Sequence, residues 1–138
     1  MHTLTKEFRF EAAHRLPPPY KGKCGNVHGH SWKVTVSVQG DTLDKNGMVI
    51  DYADIKAVCN PIIEQLDHTY LTCNRDMVGE MVAAQGLAVN VFEHNPTSEV
   101  LAQWLYEQWE PAFHQLGCRL LSVKVDETCT ASCTYERK

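Results

Sequence analysis

The stretch Cys24-Gly25-Asn26-Val27-His28-Gly29-His30 concentrates groups that can do chemistry. In an extended strand, residues two apart point to the same side, so His28 and His30 can face one ion. His14 closes an earlier alternating run and offers a third imidazole. Neutral imidazole is a common metal ligand, and a catalytic zinc takes three protein ligands while keeping one position open. Surface histidines that only hydrogen-bond within a loop would show the same spacing. Cys24 shares its loop with Lys21 and Lys23, a setting in which a thiol can act as base or nucleophile. Its bland alternative is a small buried hydrophobe. Asp67-His68 pairs an imidazole with a carboxylate that could orient it, although Asp67 could equally end a helix. Glu127 ends an otherwise apolar strand face, and glutamate is seldom buried without a partner.

The elements that must position these groups follow from periodicity. Residues 4–14 alternate, with Phe8, Phe10, Ala12 and His14 on one face. Pro17, Pro18 and Pro19 end that strand. Residues 28–39 alternate more clearly, with His28, His30, Trp32, Val34, Val36 and Val38 together. Parity therefore allows His14, His28 and His30 to point to one side of a sheet, at neighbouring strand ends. Asn46-Gly47 marks a turn. Asp51 can cap a helix to about Leu66 with Tyr52, Ile55, Val58 or Cys59, Ile62 and Leu66 as its stripe, and Pro61 is expected to distort or split it. Residues 72–93 are ambiguous: a short helix over 77–84 and a short strand over 87–92. Asn95 or Thr97 starts a helix that runs to about Leu116, and Gly117 stops it. Leu121, Val123, Val125 and Glu127 share a face of a further strand, and a short strand covers about 132–135. The expected fold is α+β: a four-stranded antiparallel sheet with two helices packed on one face.

Composition narrows the partners. The 138 residues suit one domain, 1–138, with a core of its own. A formal charge of -4 gives no basic surface for nucleic acid or an anionic membrane. No apolar run nears the roughly 20 residues of a membrane span, and the start of the chain lacks the layout of a signal peptide. Six cysteines in such a chain are expected to be reduced, in the cytoplasm. Cys129 and Cys133 lack the spacing of a structural zinc pair, and no dinucleotide or phosphate-loop motif is present.

Five motifs together resemble one known family. They are Phe10-Glu11-Ala12-Ala13-His14-Arg15-Leu16, Cys24 to His30, Leu66-Asp67-His68, Asn95-Pro96-Thr97-Ser98-Glu99 and Glu127-Thr128-Cys129-Thr130-Ala131. They resemble the 6-pyruvoyltetrahydropterin synthase family, and most closely its bacterial 6-carboxy-5,6,7,8-tetrahydropterin synthase branch in the queuosine pathway. The short gap between Cys24 and His28 resembles that branch. The resemblance covers nearly the whole chain, in the family's order. It implies the tunnelling fold, with sheets joined edge to edge into a barrel, as trimers stacked into a homohexamer with sites at subunit contacts. It implies that His14, His28 and His30 hold Zn2+, that Cys24 is the catalytic base, and that His68 with Asp67 completes a proton relay. It implies that Glu127 holds the pterin ring and that Thr97, Ser98 and Thr128 line the substrate pocket. The implied substrate is 7,8-dihydroneopterin triphosphate, converted with water to the 6-carboxy product, acetaldehyde and triphosphate without an external redox cofactor.

Two departures stand out: a long insert over about 72–94, and Asp126 where relatives often carry lysine. The alternatives are pyruvoyl-tetrahydropterin formation, which eliminates only triphosphate, and a noncatalytic pterin- or metal-binding assembly module.

Overall fold

Alternation produces strands β1 (His2–His14) and β2 (His28–Gly40). The computed structural model describes residues 1–138 and pairs these two strands antiparallel along their full length. A 3-10 turn (Lys23–Gly25) lies in the loop between them. Helix α1 (Tyr52–Leu66) starts where the Asp51 side chain accepts the Ala53 N–H at 2.8 Å. Then come β3 (Thr69–Cys73), α2 (Met77–Ala84), β4 (Val89–Phe92), α3 (Ser98–Gln115), β5 (Arg119–Thr128) and β6 (Ala131–Tyr135). Thr97 caps α3, and Gly117 follows it with φ of 80°, the left-handed conformation that glycine adopts freely.

The expected sheet of four antiparallel strands under two helices is incorrect. Six strands run in the order β4-β3-β1-β2-β5-β6, and both β1–β3 and β3–β4 are parallel pairs. Three helices accompany them, and the mixed sheet forms an open half-barrel rather than a closed four-stranded barrel. The elements beyond that count lie between α1 and α3: α2 matches the expected helix over 77–84, β4 the expected short strand over 87–92, and β3 is the unexpected one. Tyr70, Leu71, Thr72 and Cys73 are all buried, so β3 is covered on both faces and shows no alternation to read. Leu71 joins the main core, whereas Thr72 on the opposite face meets α2 at Gly79. The helices therefore do not all pack on one face.

The core is continuous from Phe8 and Phe10 through Trp32 and Val34 to Leu105, Trp109 and Phe113 of α3. Stacked Phe10 and Trp32 rings, 5.9 Å apart, bind the first two strands at the end nearest the histidines. Two local expectations also change. Pro61 leaves α1 unbroken, because the carbonyl it strands belongs to Ala57 on the helix's exposed side, where water can satisfy it. Tyr52 is exposed, and Ile63 joins the buried stripe of Ile55, Cys59 and Leu66. In β5, Leu120 rather than Leu121 enters the core. A register shift opposite Ser37 and Val38 turns the strand by one residue at that point. Val123, Val125 and Glu127 keep their shared parity beyond it. No helix is long and apolar enough to cross a membrane.

The contact of α2 with β3 has a measurable consequence. A Cβ on Gly79 would fall on the Thr72 side chain, 2.8 Å from its Cγ2. Gly79→Ala should lower stability by about 1–3 kcal/mol. That loss would be seen as a lower urea midpoint at unchanged m-value. An unmoved midpoint would show that α2 does not depend on this close approach.

Candidate active site

Register brings the three histidines together. His14 stands opposite His28, and Ala12 opposite His30, so the imidazoles occupy adjacent places on one face. Their ring centroids are 4.6 Å (His14–His28), 4.9 Å (His28–His30) and 5.2 Å (His14–His30) apart. Trp32 forms the floor, 5.1 Å from both His14 and His30. It is itself fixed by donating its indole N–H to the Ala12 carbonyl at 3.2 Å.

Two backbone carbonyls set the orientation of the rings. His14 Nδ1 lies 2.9 Å from the Pro96 carbonyl, and His28 Nδ1 lies 2.7 Å from the Asn26 carbonyl. A carbonyl can only accept, so each Nδ1 carries the proton and each Nε2 presents a lone pair. Into this cluster β5 sends Glu127. Its Oε1 is 3.3 Å from His14 Nε2 and 3.1 Å from His30 Nε2. Neither Nε2 has a hydrogen-bond partner, and His14 is only 3% exposed. With His14 neutral, a lone pair faces a carboxylate oxygen at short range. A cation between them resolves that repulsion. One donor atom from each of His14, His28, His30 and Glu127 lies within 4.8 Å of the others, a spacing compatible with a single metal ion.

Electrostatics agree with this donor set. Burial, above all, holds His14 below the ordinary 6.5; the Pro96 contact opposes this, and the neighbouring His28 and His30 add to it. Burial also lowers His30, against the opposing pull of Glu127. Both imidazoles therefore stay neutral and available to a metal at neutral pH.

The remaining sequence-derived site residues divide into near and separate groups. Cys24 is exposed in the 3-10 turn and is not part of the donor cluster. Tyr20 lies beside it, and the charge of Cys24 pushes the Tyr20 phenol above 10.0. Asp67 and His68 do touch: Asp67 Oδ2 is 2.9 Å from His68 Nδ1. Asp67 Oδ1 accepts the Glu11 N–H, and the His68 N–H donates to the Glu11 carbonyl at 2.6 Å. These bonds hold His68 at φ of 60°, uncommon for a residue with a Cβ. The Glu11 contact, followed by His68, keeps the Asp67 carboxyl below its usual range. His68 is 78% exposed and shares an open depression of about 570 Å3 with His30 and Gly29. A second cavity, about 500 Å3, is lined by His30, Glu127 and Thr128 together with Arg9 and Lys33. Thr97 spends its hydroxyl on the cap of α3, accepting from Val100 N–H at 3.2 Å. Ser98 bonds Glu99. The carbonyls of Pro96 and Asn26 had no signal in the sequence, since any residue supplies a carbonyl.

A family model described as 6-pyruvoyl tetrahydropterin synthase matches residues 3–138. The chain is 37% identical to a 6-carboxy-5,6,7,8-tetrahydropterin synthase of Synechocystis sp., covering 98% of this chain and 93% of the relative. It is 30% identical to proteins of the same name from Aquifex aeolicus, with 98% of each chain covered, and Haemophilus influenzae, with 99% of each covered. Among solved structures, an uncharacterized protein from Wolinella succinogenes superposes with a TM-score of 0.86 at 23% identity, covering 99% of this chain and 98% of the other. The 6-pyruvoyl tetrahydropterin synthase of Caenorhabditis elegans gives 0.75 at 24%, covering 99% and 96%. At those identities the structures establish the shared fold.

Metal binding should follow the histidine protonation. Both shifted values lie below 6.5, so protons compete for the nitrogens only as pH falls below that point. Stability of the metal-free chain from these two groups is likewise present above 6.5 and lost as pH falls through the lower folded values. Chelator-competition titrations should show zinc affinity weakening from about pH 6.5 downward. His28→Ala should lower the bound zinc at neutral pH. Parent-like zinc content in that variant would remove His28 from the donor set.

Proposed function

The chain belongs to the 6-pyruvoyl tetrahydropterin synthase family, and from that membership we propose that it is a 6-carboxy-5,6,7,8-tetrahydropterin synthase of queuosine biosynthesis. It is a metal-dependent lyase that converts 7,8-dihydroneopterin triphosphate and water to 6-carboxytetrahydropterin, acetaldehyde and triphosphate. The observation that carries this reading is the cluster of His14, His28, His30 and Glu127, in a chain 37% identical over nearly its full length to a synthase of that name. The carboxy-type activity is favoured over the pyruvoyl type because relatives at 30–37% identity carry the former name.

His14, His28 and His30 would hold zinc. When bound there, zinc supplies Lewis acidity toward the hydroxyls of the substrate side chain. Glu127, on the wall of the cavity that includes Thr128, receives the pyrimidine N–H and exocyclic amine of the pterin. Thr97 and Ser98, which follow the Pro96 whose carbonyl orients His14, line the substrate pocket. Cys24 accepts a proton from the substrate side chain. His68, oriented by Asp67, returns or relays one. The exposure of Cys24 and His68 in the single chain supports sites completed at contacts between copies, in a homohexamer built from trimers. A phosphorylated pterin is its small-molecule substrate; nucleic acid and membrane are not partners, and the enzyme works in the cytoplasm.

Incubation with dihydroneopterin triphosphate should release acetaldehyde and a 6-carboxy product by mass spectrometry. A pyruvoyl product without acetaldehyde would overturn the assignment. Cys24→Ala should cut kcat by about 10²–10⁴-fold with zinc content unchanged, and full turnover would end its role as base. Glu127→Gln should weaken pterin binding with metal retained. A large fall in bound zinc would make Glu127 a ligand instead.

A further inference from the structure

Two consecutive residues that follow β1, Arg15 and Leu16, grip the Cys24 turn. Leu16 donates its N–H to the Cys24 carbonyl at 2.7 Å, and Arg15 Nε donates to the next carbonyl, Gly25, also at 2.7 Å. The same guanidinium continues to the far side. Arg15 Nη1 donates to Asp76 Oδ1 at 3.2 Å. Asp76 belongs to the insert, where it caps α2 by accepting Val78 N–H at 3.1 Å on that same oxygen. Its other oxygen, Oδ2, accepts the Tyr70 hydroxyl at 2.6 Å and the Thr72 hydroxyl at 3.1 Å.

Asp76 is 2% exposed, so its charge has left water. A buried carboxylate persists only when paired and hydrogen-bonded, and here four donors from three segments provide that. Burial, reinforced by Asp76, pushes the Tyr70 phenol well up, so Tyr70 serves as a donor throughout the neutral range. Thr72 is held from behind by the close approach of Gly79. The carboxylate is thus fixed in place before Arg15 reaches it.

We propose that Arg15 is a positioning residue: it clamps the Cys24 turn to the buried Asp76 carboxylate, so that the insert between α1 and α3 sets where the Cys24 thiol sits. The inference rests on the reading of Cys24 as proton acceptor. A guanidinium suits the task because its planar fork donates in two fixed directions at once. A lysine ammonium at this position would keep the charge beside Asp76 and release the Gly25 carbonyl. The insert then has a role at the site although it supplies no group to the metal cluster. The clamp adds to the turn's own hydrogen bonds, Gly25 N–H to Gly22, Asn26 N–H to Lys23 and Asn26 Nδ2–H to Lys23.

The test compares full-length zinc-loaded parent, Arg15→Lys, Asp76→Asn and the double variant. Asparagine remains a good helix cap, which preserves α2. Hydrogen exchange resolved to residues 16–27 should quicken about tenfold in both single variants, reflecting local opening, while β2 amides from Trp32 to Val38 stay unchanged. The double variant should exchange no faster than the worse single one, as expected for two members of one chain of contacts. Turnover should show kcat down by about 10- to 100-fold with KM nearly constant, as for a misplaced reacting group. Unchanged exchange in the turn, or an equal rise throughout β2, would overturn the clamp. Quickened exchange with parent-like kcat would overturn the positioning role if Cys24→Ala is inactive, and the role of Cys24 itself if Cys24→Ala turns over. Turnover by Cys24→Ala reads that role independently.

Discussion

The antiparallel pairing of β1 with β2 is the constraint on which the site depends. His14 opposite His28 and Ala12 opposite His30 is one register among several that two long alternating strands could adopt. A slip by one residue would invert the facing of one strand and send its histidines to the other side of the sheet. The register is held because Phe8, Phe10 and Ala12 must meet Trp32, Val34 and Val36 in the core. The metal donors are thus the solvent-side continuation of an apolar seam. Their positions follow from packing that has nothing to do with metal.

What surrounds the histidines converts proximity into chemistry. The Pro96 and Asn26 carbonyls fix the tautomers, burial keeps two rings neutral, and Glu127 brings a negative charge against their free nitrogens. Each contribution comes from a different segment. The same division holds for the Cys24 turn, which is tied to β1 by two carbonyls and to the insert by one guanidinium. A mobile acid–base group next to a rigid donor cluster would lose the orientation that a proton transfer requires.

Much of this was legible locally. Alternation gave both long strands and the shared face of His14, His28 and His30. Asp51, Thr97 and Gly117 marked helix ends by their own chemistry. Asp67 and His68 adjoin in sequence as a carboxylate and an imidazole, and they are in contact. The sheet departs from a local reading where a strand has no wet face. β3 is buried on both faces and displays no period that betrays a strand, while the short strand over 87–92 is readable but not its parallel place beside β3. The shift at Leu120 and Leu121 was invisible for a related reason, because both residues are leucines and either could face the core.

Sequence alone determined the groups and their parity: which residues can donate, and which share a side of their own strand. Those are properties of the backbone's period of two and of side-chain chemistry, readable one segment at a time. Only the tertiary structure decided which segments meet. His14 finds its orienting carbonyl 82 residues away, and Arg15 finds its carboxylate 61 residues away. A carbonyl carries no side-chain identity, and a lone aspartate looks like any cap. Such partners become visible only when burial removes water and leaves each polar group dependent on what the fold has placed beside it.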